Sequence, residues 1–346
     1  MTSQPSYAAQ PGPVSAEPVV TTVVIPRTHV PRPHVPPSTA LRGAVLPTQQ
    51  SRAAVAVRPI VLAVVRPTPP LAATGLSILA ALLLGFVLNV GVLSHVVEAR
   101  SQSLAYAELR EQLAKGTAPI GQTGADGALV APGTPIALLE LPGNEVPQVV
   151  LEGTAATVLD GGPGHRRDSV LPGQAGTAVL YGRRASYGGP FAAVPALAAG
   201  RIITVTTGQG RHDYRVSGVR RAGDPAPAPL APGAGRLTLV TASGPSFLPA
   251  GTVRVDADLL GATQPAPARV LGAASLLSAE SPLAGDRSVL TALLLWSQAL
   301  LLAACAVAWA RVRWGLRQTW VVGVPVLTAI GLAVAHSAAG LLPNLL

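Results

Sequence analysis

Three long runs without a charged residue stand out in the pattern of hydrophobic and polar positions. They cover residues 71–94, 288–310 and 319–342, and apolar side chains dominate each of them. An α-helix rises about 1.5 Å per residue, so each run is long enough to cross a hydrocarbon core of about 30 Å. The pattern predicts three transmembrane helices over these ranges.

Between the first and second apolar runs, the pattern changes to short stretches of alternating and β-branched residues separated by turn residues. Seven of these stretches are predicted strands: Ile136–Leu141, Gln148–Leu151, Thr177–Tyr181, Arg201–Thr207, Arg211–Val219, Arg236–Thr241 and Thr252–Leu259. Thr154–Leu159 and Pro190–Leu197 are predicted short helices in the connections. The pattern indicates a mainly β domain over residues 131–262, with seven or eight strands in a closed barrel or a sandwich.

Residues 1–70 are rich in Pro, Ser, Thr, Ala and Val and contain pairs such as Arg32-Pro33 and Arg66-Pro67. Proline lacks the amide N–H that helices and sheet ladders need. The segment is therefore predicted to be a disordered arm without a packed core.

Two further segments connect the β domain to the apolar runs. Within residues 95–130, Leu104, Leu109 and Leu113 occur at helical spacing among polar residues. This spacing predicts a short amphipathic stalk helix followed by a linker. Residues 263–287 are rich in Gly, Pro and Ala and are predicted to be a second linker.

The placement of arginine predicts the orientation in the membrane. Residues 1–70 hold six arginines and one acidic residue, and the short segment 311–318 holds Arg311, Arg313 and Arg317. Positively charged flanks stay on the cytoplasmic side. We therefore expect both segments in the cytoplasm, residues 95–287 outside, and the protein in the cytoplasmic membrane as a multi-pass protein in contact with lipid.

Composition excludes several classes of function. The net charge is +9, but only 3% of the residues are aromatic, and acidic residues offset most of the basic ones in the β domain. Nucleic acid is therefore not a predicted partner. The single cysteine, Cys305, lies in the second apolar run, where a small residue facing lipid or a neighbouring helix is expected. Neither cysteines nor histidines occur at metal-ligand spacing, so no metal or other cofactor is predicted.

Short motifs follow one another in a fixed order through the β domain: Pro135–Pro142, Val149–Thr154, Gly162–His165, Leu171–Gln174, Gly176–Arg184, Tyr187–Phe191, Gly200–Thr207 and Leu237–Thr241. This series resembles the sortase family, the cysteine transpeptidases that attach proteins to the cell wall of Gram-positive bacteria, and in particular its classes D and E. The resemblance implies an eight-stranded sortase-like barrel, a place in the cell envelope and an extended peptide or sorting signal as ligand.

The resemblance also implies three catalytic positions. The family uses a cysteine to attack a peptide carbonyl, a histidine to carry a proton and an arginine beside the oxyanion. These positions fall on Ala242, Arg183 and Thr252. Alanine offers no nucleophile and a guanidinium stays protonated, so no catalytic residue is expected and the chain is interpreted as a non-catalytic sortase homologue.

The predicted cleft around these positions is lined by Arg183, Arg184, Thr241, Ala242, Ser243 and Arg254. Arg254 lies two residues after Thr252 and is expected on the same face of its strand. Arg183 would favour an acidic peptide or a carboxylate. The alternative is that it pairs with a neighbouring acid within the domain.

Two other functions stay open. Ser243 or Ser246 would serve as an unusual nucleophile in an active transpeptidase or hydrolase. Alternatively, the outer domain would act as a spacer or bind another protein of the cell envelope. By the same resemblance His165 is not the catalytic histidine, while Asp256 and Asp258 are expected to be solvated carboxylates on one face of a strand.

Overall fold

The eight strands of the extramembrane region close into one barrel. In the computed structural model, which describes residues 71–124 and 126–346, neighbours run in the order β1-β2-β3-β4-β7-β8-β6-β5, and β5 pairs back with β1. The strands are β1 Pro135–Glu140, β2 Gln148–Glu152, β3 Gly164–His165, β4 Gly176–Tyr181, β5 Ile202–Thr207, β6 Gly210–Arg220, β7 Gly235–Ser243 and β8 Gly251–Leu260. The predicted fold class is confirmed. The predicted disordered arm lies outside the described residues.

All seven predicted strands are present, with ends that differ by at most two residues. The eighth strand, for which no stretch was predicted, is β3. It pairs in parallel with β2 and antiparallel with β4. A strand of two residues is too short to show an alternating pattern. The predicted short helices are the α-helix Ala156–Leu159, numbered α3 below, and a 3-10 turn over Val194–Ala196.

Alternation along β7 and β8 separates two packed regions. Leu237 and Leu239 of β7 lie with Val255 and Ala257 of β8 in the main core of the barrel, together with Phe191 from the loop that follows β4. Side chains of opposite parity on β7 contact a second, smaller cluster. The site described below belongs to this second cluster.

Helix α1 (Leu71–Leu88) continues through a π-helical turn (Asn89–Leu93) into α2 (Ser94–Lys115), which ends at Gly116 with a φ of +68°. Ala105 and Leu109 of α2 pack against the barrel. Leu104, predicted to share this face, is 64% exposed. Leu109 lies five positions after Leu104 on the helix. This offset turns Leu104 about 140° away from the packed stripe.

Hydrogen bonds attach both predicted linkers to the barrel. The buried Gln122 donates to the carbonyl oxygens of Arg167 at 2.7 Å and Leu271 at 3.1 Å. The side-chain Oε1 of Gln122 accepts hydrogen bonds from the backbone amides of Val270 and Leu271. Thr154 donates to the carbonyl oxygen of Glu280 at 2.9 Å. These Gly/Pro-rich segments lack periodicity, but they are docked.

Helices α4 (Val289–Trp314) and α5 (Leu316–Ala339) form a hairpin. The basic loop predicted over residues 311–318 is helical except at Gly315, which has a φ of +88°. A single residue makes the reversal because glycine adopts a backbone conformation closed to other residues. Three described helical segments are long and apolar enough to cross a membrane: Ala80–Lys115, Val289–Trp314 and Arg317–Ala339.

Candidate functional site

Strands β4, β7 and β8 bring the three predicted catalytic positions together at one end of the barrel. β4 and β7 run in parallel, and Tyr181 pairs with Val240 just before Arg183 and Ala242. Thr252 of β8 lies directly opposite Ala242 in the antiparallel register. The hydroxyl of Thr241 donates to the carbonyl oxygen of Gly182 at 2.8 Å and so links β7 to the loop that follows β4.

Arg183 is buried and paired. Its side chain is 1% exposed and donates to Asp160 Oδ1 at 2.5 Å and to the carbonyl oxygen of Ala156 at 3.1 Å. The guanidinium lies 4.7 Å from the ring centre of Tyr187 and 3.4 Å from the hydroxyl of Ser186. The structure thus shows the paired arginine, not a free positive charge directed at a ligand.

The environment of this ion pair is poorly solvated. Burial raises the pKa of Asp160, although the charge of Arg183 acts in the opposite direction. Burial also raises the pKa of Tyr187 to about 12, with Asp160 adding to the effect. Arg183, Asp160 and Tyr187 therefore form a buried group whose charges are paired within the protein.

Arg184 points to the end of β7. Its guanidinium donates to the carbonyl oxygen of Ala242 at 3.3 Å and to that of Gly244. It therefore connects the loop after β4 to the turn after β7. Like Arg183, it is engaged by the protein itself.

Ala242 is 3% exposed. It packs in a buried apolar cluster with Leu159, Tyr181, Val240 and Leu345. Residues 343–346, which follow the last apolar run, were not predicted to be part of the site. They carry neither charge nor a motif, so the sequence offers no signal for this contact.

The remaining predicted residues form no catalytic arrangement in the described part of the chain. No hydrogen bond there involves the hydroxyl of Ser243 or of Ser246, and Ser246 is exposed in the turn after β7. Arg254 is exposed on β8, opposite Val240. A serine nucleophile needs a base within hydrogen-bond reach, and neither serine has one.

One constellation that resembles a catalytic triad was missed. The buried His165 places Nδ1 2.8 Å from Glu152 Oε2 and Nε2 3.0 Å from the hydroxyl of Ser169. However, Nε2 also lies 2.9 Å from the carbonyl oxygen of Val170, an acceptor that requires a donor. With both nitrogens donating, the imidazole cannot act as a base toward Ser169. The group is a buried ion pair, in agreement with the non-catalytic interpretation of His165.

Asp256 corrects a further expectation. It is 2% exposed, not solvated, and accepts two hydrogen bonds from Arg220 and one from Thr238 at 2.7 Å. Asp258 is half-exposed and accepts from Arg236 at 2.8 Å. Strands β6 and β7 flank β8 on both sides, which places these cross-strand partners beside each carboxylate. Within residues 71–124 and 126–346, no group of three His, Cys, Asp or Glu could hold a metal ion.

Part of the barrel matches a known protein family. Residues 139–252 match the family model of the sortase domain. No curated protein matches the chain. Similar solved structures include a sortase D transpeptidase of Clostridium perfringens, 20% identical over 48% of this chain and 99% of that one, with a TM-score of 0.38. A sortase E variant of Streptomyces avermitilis is 28% identical over 44% of this chain and 100% of that one, with a TM-score of 0.32.

A sortase C of Clostridium perfringens, solved with the C-terminal cell wall sorting motif, is 17% identical. The match covers 47% of this chain and 90% of that one, with a TM-score of 0.35.

Proposed function

The chain belongs to the sortase family through residues 139–252, and we propose from this premise that it is a membrane-anchored module that binds a peptide without cleaving it. The proposed setting is the cell envelope of a Gram-positive bacterium, where the module would act in the display of surface proteins. Its proposed partners are a peptide resembling a sorting signal and a protein of the envelope.

Ala242 is the observation that supports this proposal best. Sortase chemistry forms a bond between a cysteine sulfur and the peptide carbonyl and releases an amine, so it requires a nucleophile at this position. A methyl group supplies none. Loss of a nucleophile typically lowers the rate by several orders of magnitude. The proton-carrier position holds no imidazole, and the guanidinium of Arg183 found there is held by Asp160.

Binding does not need the missing groups, because a cleft on a folded scaffold persists when catalytic side chains are replaced. A peptide can be held by main-chain hydrogen bonds and by pockets for its side chains. The sortase C of Clostridium perfringens was solved with a sorting motif. The earlier expectation of an acidic ligand loses its support, since Arg183 is neutralised within the protein.

The packing of the last residues supports the proposed orientation. Asn344 donates to the carbonyl oxygen of Thr154 at 3.0 Å, so the end of α5 meets the barrel. A barrel outside the membrane then requires α5 to run outward. This is the direction expected if the arginines near Gly315 lie in the cytoplasm.

The test uses the full chain in lipid nanodiscs with a fluorescent sorting-signal peptide. We expect binding by fluorescence anisotropy and no cleavage or transfer by mass spectrometry. Turnover that disappears in Ser243→Ala or Ser246→Ala would overturn the proposal and establish the serine enzyme in its place. Absence of binding to any peptide would also overturn it.

A further inference from the structure

The residues that follow α5 turn back into the site. Asn344, Leu345 and Leu346 are almost completely buried, with exposures of 0%, 0% and 3%. Leu346 closes a turn by donating its amide to the carbonyl oxygen of Pro343 at 3.1 Å. We name Pro343–Leu346 the plug.

Main-chain hydrogen bonds hold the plug to the loop that contains Arg183. The amide of Arg184 donates to the carbonyl oxygen of Leu345 at 3.1 Å. Ser186 donates to the carbonyl oxygen of Leu346 twice, from its amide at 3.3 Å and from its hydroxyl at 2.6 Å. The amide of Asn344 donates to the carbonyl oxygen of Ala284 at 2.9 Å. Main-chain atoms of the plug thus make four hydrogen bonds to the protein, a mode of contact that bound peptides also use.

Side chains fix its position. Leu345 packs against Leu159, Tyr181, Val240 and Ala242, four residues that would line an apolar pocket if Leu345 were withdrawn. Asn344 donates to the carbonyl oxygens of Thr154 and Ser281, each at 3.0 Å. Among the described residues, however, the side-chain amide oxygen Oδ1 of Asn344 is buried without a hydrogen-bond partner. An unsatisfied buried acceptor opposes burial of the group, so this contact is weaker than a fully satisfied core contact.

We propose that the plug is a displaceable intramolecular ligand that occupies the binding site for an apolar peptide. A ligand would place a leucine-sized side chain in the pocket beside Ala242 and take over hydrogen bonds from Arg184 and Ser186. Its preferred side chain is apolar because four apolar or aromatic residues line the pocket, and because Arg183 and Arg184 are engaged by the protein. This inference rests on the proposed function, since it names the ligand class of the same site.

The first experiment measures whether the plug covers the pocket. Ala242→Cys is introduced in the full chain with Cys305→Ser, which leaves one thiol, and the protein is studied in nanodiscs. A maleimide should label this thiol slowly. Leu345→Asp should release the plug and increase the labelling rate at least tenfold, whereas Val146→Asp, a change at an exposed apolar residue of the β1–β2 connection, should not. An unchanged rate in Leu345→Asp would overturn the plug.

The second experiment measures the ligand class. A fluorescent hexapeptide with the sequence of residues 341–346 should bind Leu345→Asp at least tenfold more tightly than the wild type, and a peptide with aspartate at the fifth position should not. Equal affinity of wild type and variant would overturn displacement. If neither protein binds any peptide while the labelling rate is increased, the proposed function fails and the plug stands. Should Leu345→Asp misfold, as judged by thermal unfolding, Leu345→Gly removes the side chain without adding a charge and carries the same test.

Discussion

Single residues set the electrostatics of the barrel, and buried charges are paired inside it. Arg183 with Asp160 and His165 with Glu152 are two such pairs. Taking charges out of water is unfavourable, and breaking such a pair is worse, because it leaves one charge buried alone.

Replacing Arg183 with methionine tests the first pair. The substitution keeps much of the volume but leaves Asp160 without its cation, so we expect the free energy of unfolding to fall by about 3–5 kcal/mol. Denaturant titration of the full chain in detergent micelles would measure it. Arg254→Met, at an exposed position on β8, serves as the control and should change stability by no more than about 0.5 kcal/mol.

The pH dependence of stability tests the second pair. Burial lowers the pKa of His165, but the charge and hydrogen bond of Glu152, together with the carbonyl oxygen of Val170 and the charge of Asp168, raise the pKa above its ordinary value. A raised pKa in the folded state stabilises the protein fully below the unfolded-state pKa, and this stabilisation is lost as pH rises through the folded-state pKa. The melting temperature should therefore fall as pH rises above about 6.5. Glu152→Gln should flatten this slope, whereas His95→Gln, at an exposed position on α2, should keep it.

At the scale of elements, the packing of helices depends on a few contacts. Helix α2 contacts the barrel through Ala105 and Leu109, and the hairpin of α4 and α5 reverses at Gly315. Gly323 of α5 lies so close to Val307 of α4 that an added Cβ would come within 3.0 Å of it. Small residues at such a crossing let two membrane helices approach closely.

Leu109→Ala should detach α2 from the barrel in part. The side chain is 1% exposed, and truncating a buried leucine typically reduces stability by about 2–5 kcal/mol. Leu104→Ala is the matched control on the same helix, where the side chain is exposed and the change should be small. Equal losses for the two variants would contradict the packing of α2 described above.

Gly315→Ala should strain the hairpin. Gly315 has a φ of +88° and a ψ of 173°, a region that is essentially restricted to glycine, and a Cβ there costs about 1–3 kcal/mol. Gly331 lies within α5, where an added Cβ would meet nothing within 4 Å, so Gly331→Ala should leave stability unchanged or improve it slightly. Unfolding in SDS would compare the two.

Secondary structure was predictable because its signals are local. Alternation predicts seven strands, and uncharged runs predict the three helices that are apolar enough to cross a membrane. The two-residue β3, the single-residue reversal at Gly315 and the docked linkers carry no periodic signal. Site contacts were harder still, since 23 residues separate Arg183 from Asp160 and the contact between Leu345 and Ala242 depends on where α5 ends. Such pairs follow from the closed barrel and not from sequence spacing.

On the scale of the whole molecule, the orientation in the membrane is the main prediction. Cysteines at Ser103, Ser217 and Gln318, in a Cys305→Ser background, lie at exposed positions of α2, the barrel and α5. In intact cells, an impermeant thiol reagent should label the first two sites and not the third. Labelling of Gln318 alone would reverse the orientation.

The short connection from α5 to Leu345 has a consequence for reach. Leu345 lies six positions after Ala339, the last residue of α5, and an extended chain spans at most about 3.6 Å per residue. The pocket beside Ala242 therefore lies within roughly 22 Å of the end of this helix. With α5 in the membrane as proposed, the pocket would lie close to the bilayer. A partner of the proposed kind would then present its peptide near the membrane surface, and encounters would be governed by lateral diffusion of two membrane proteins rather than by free diffusion in three dimensions.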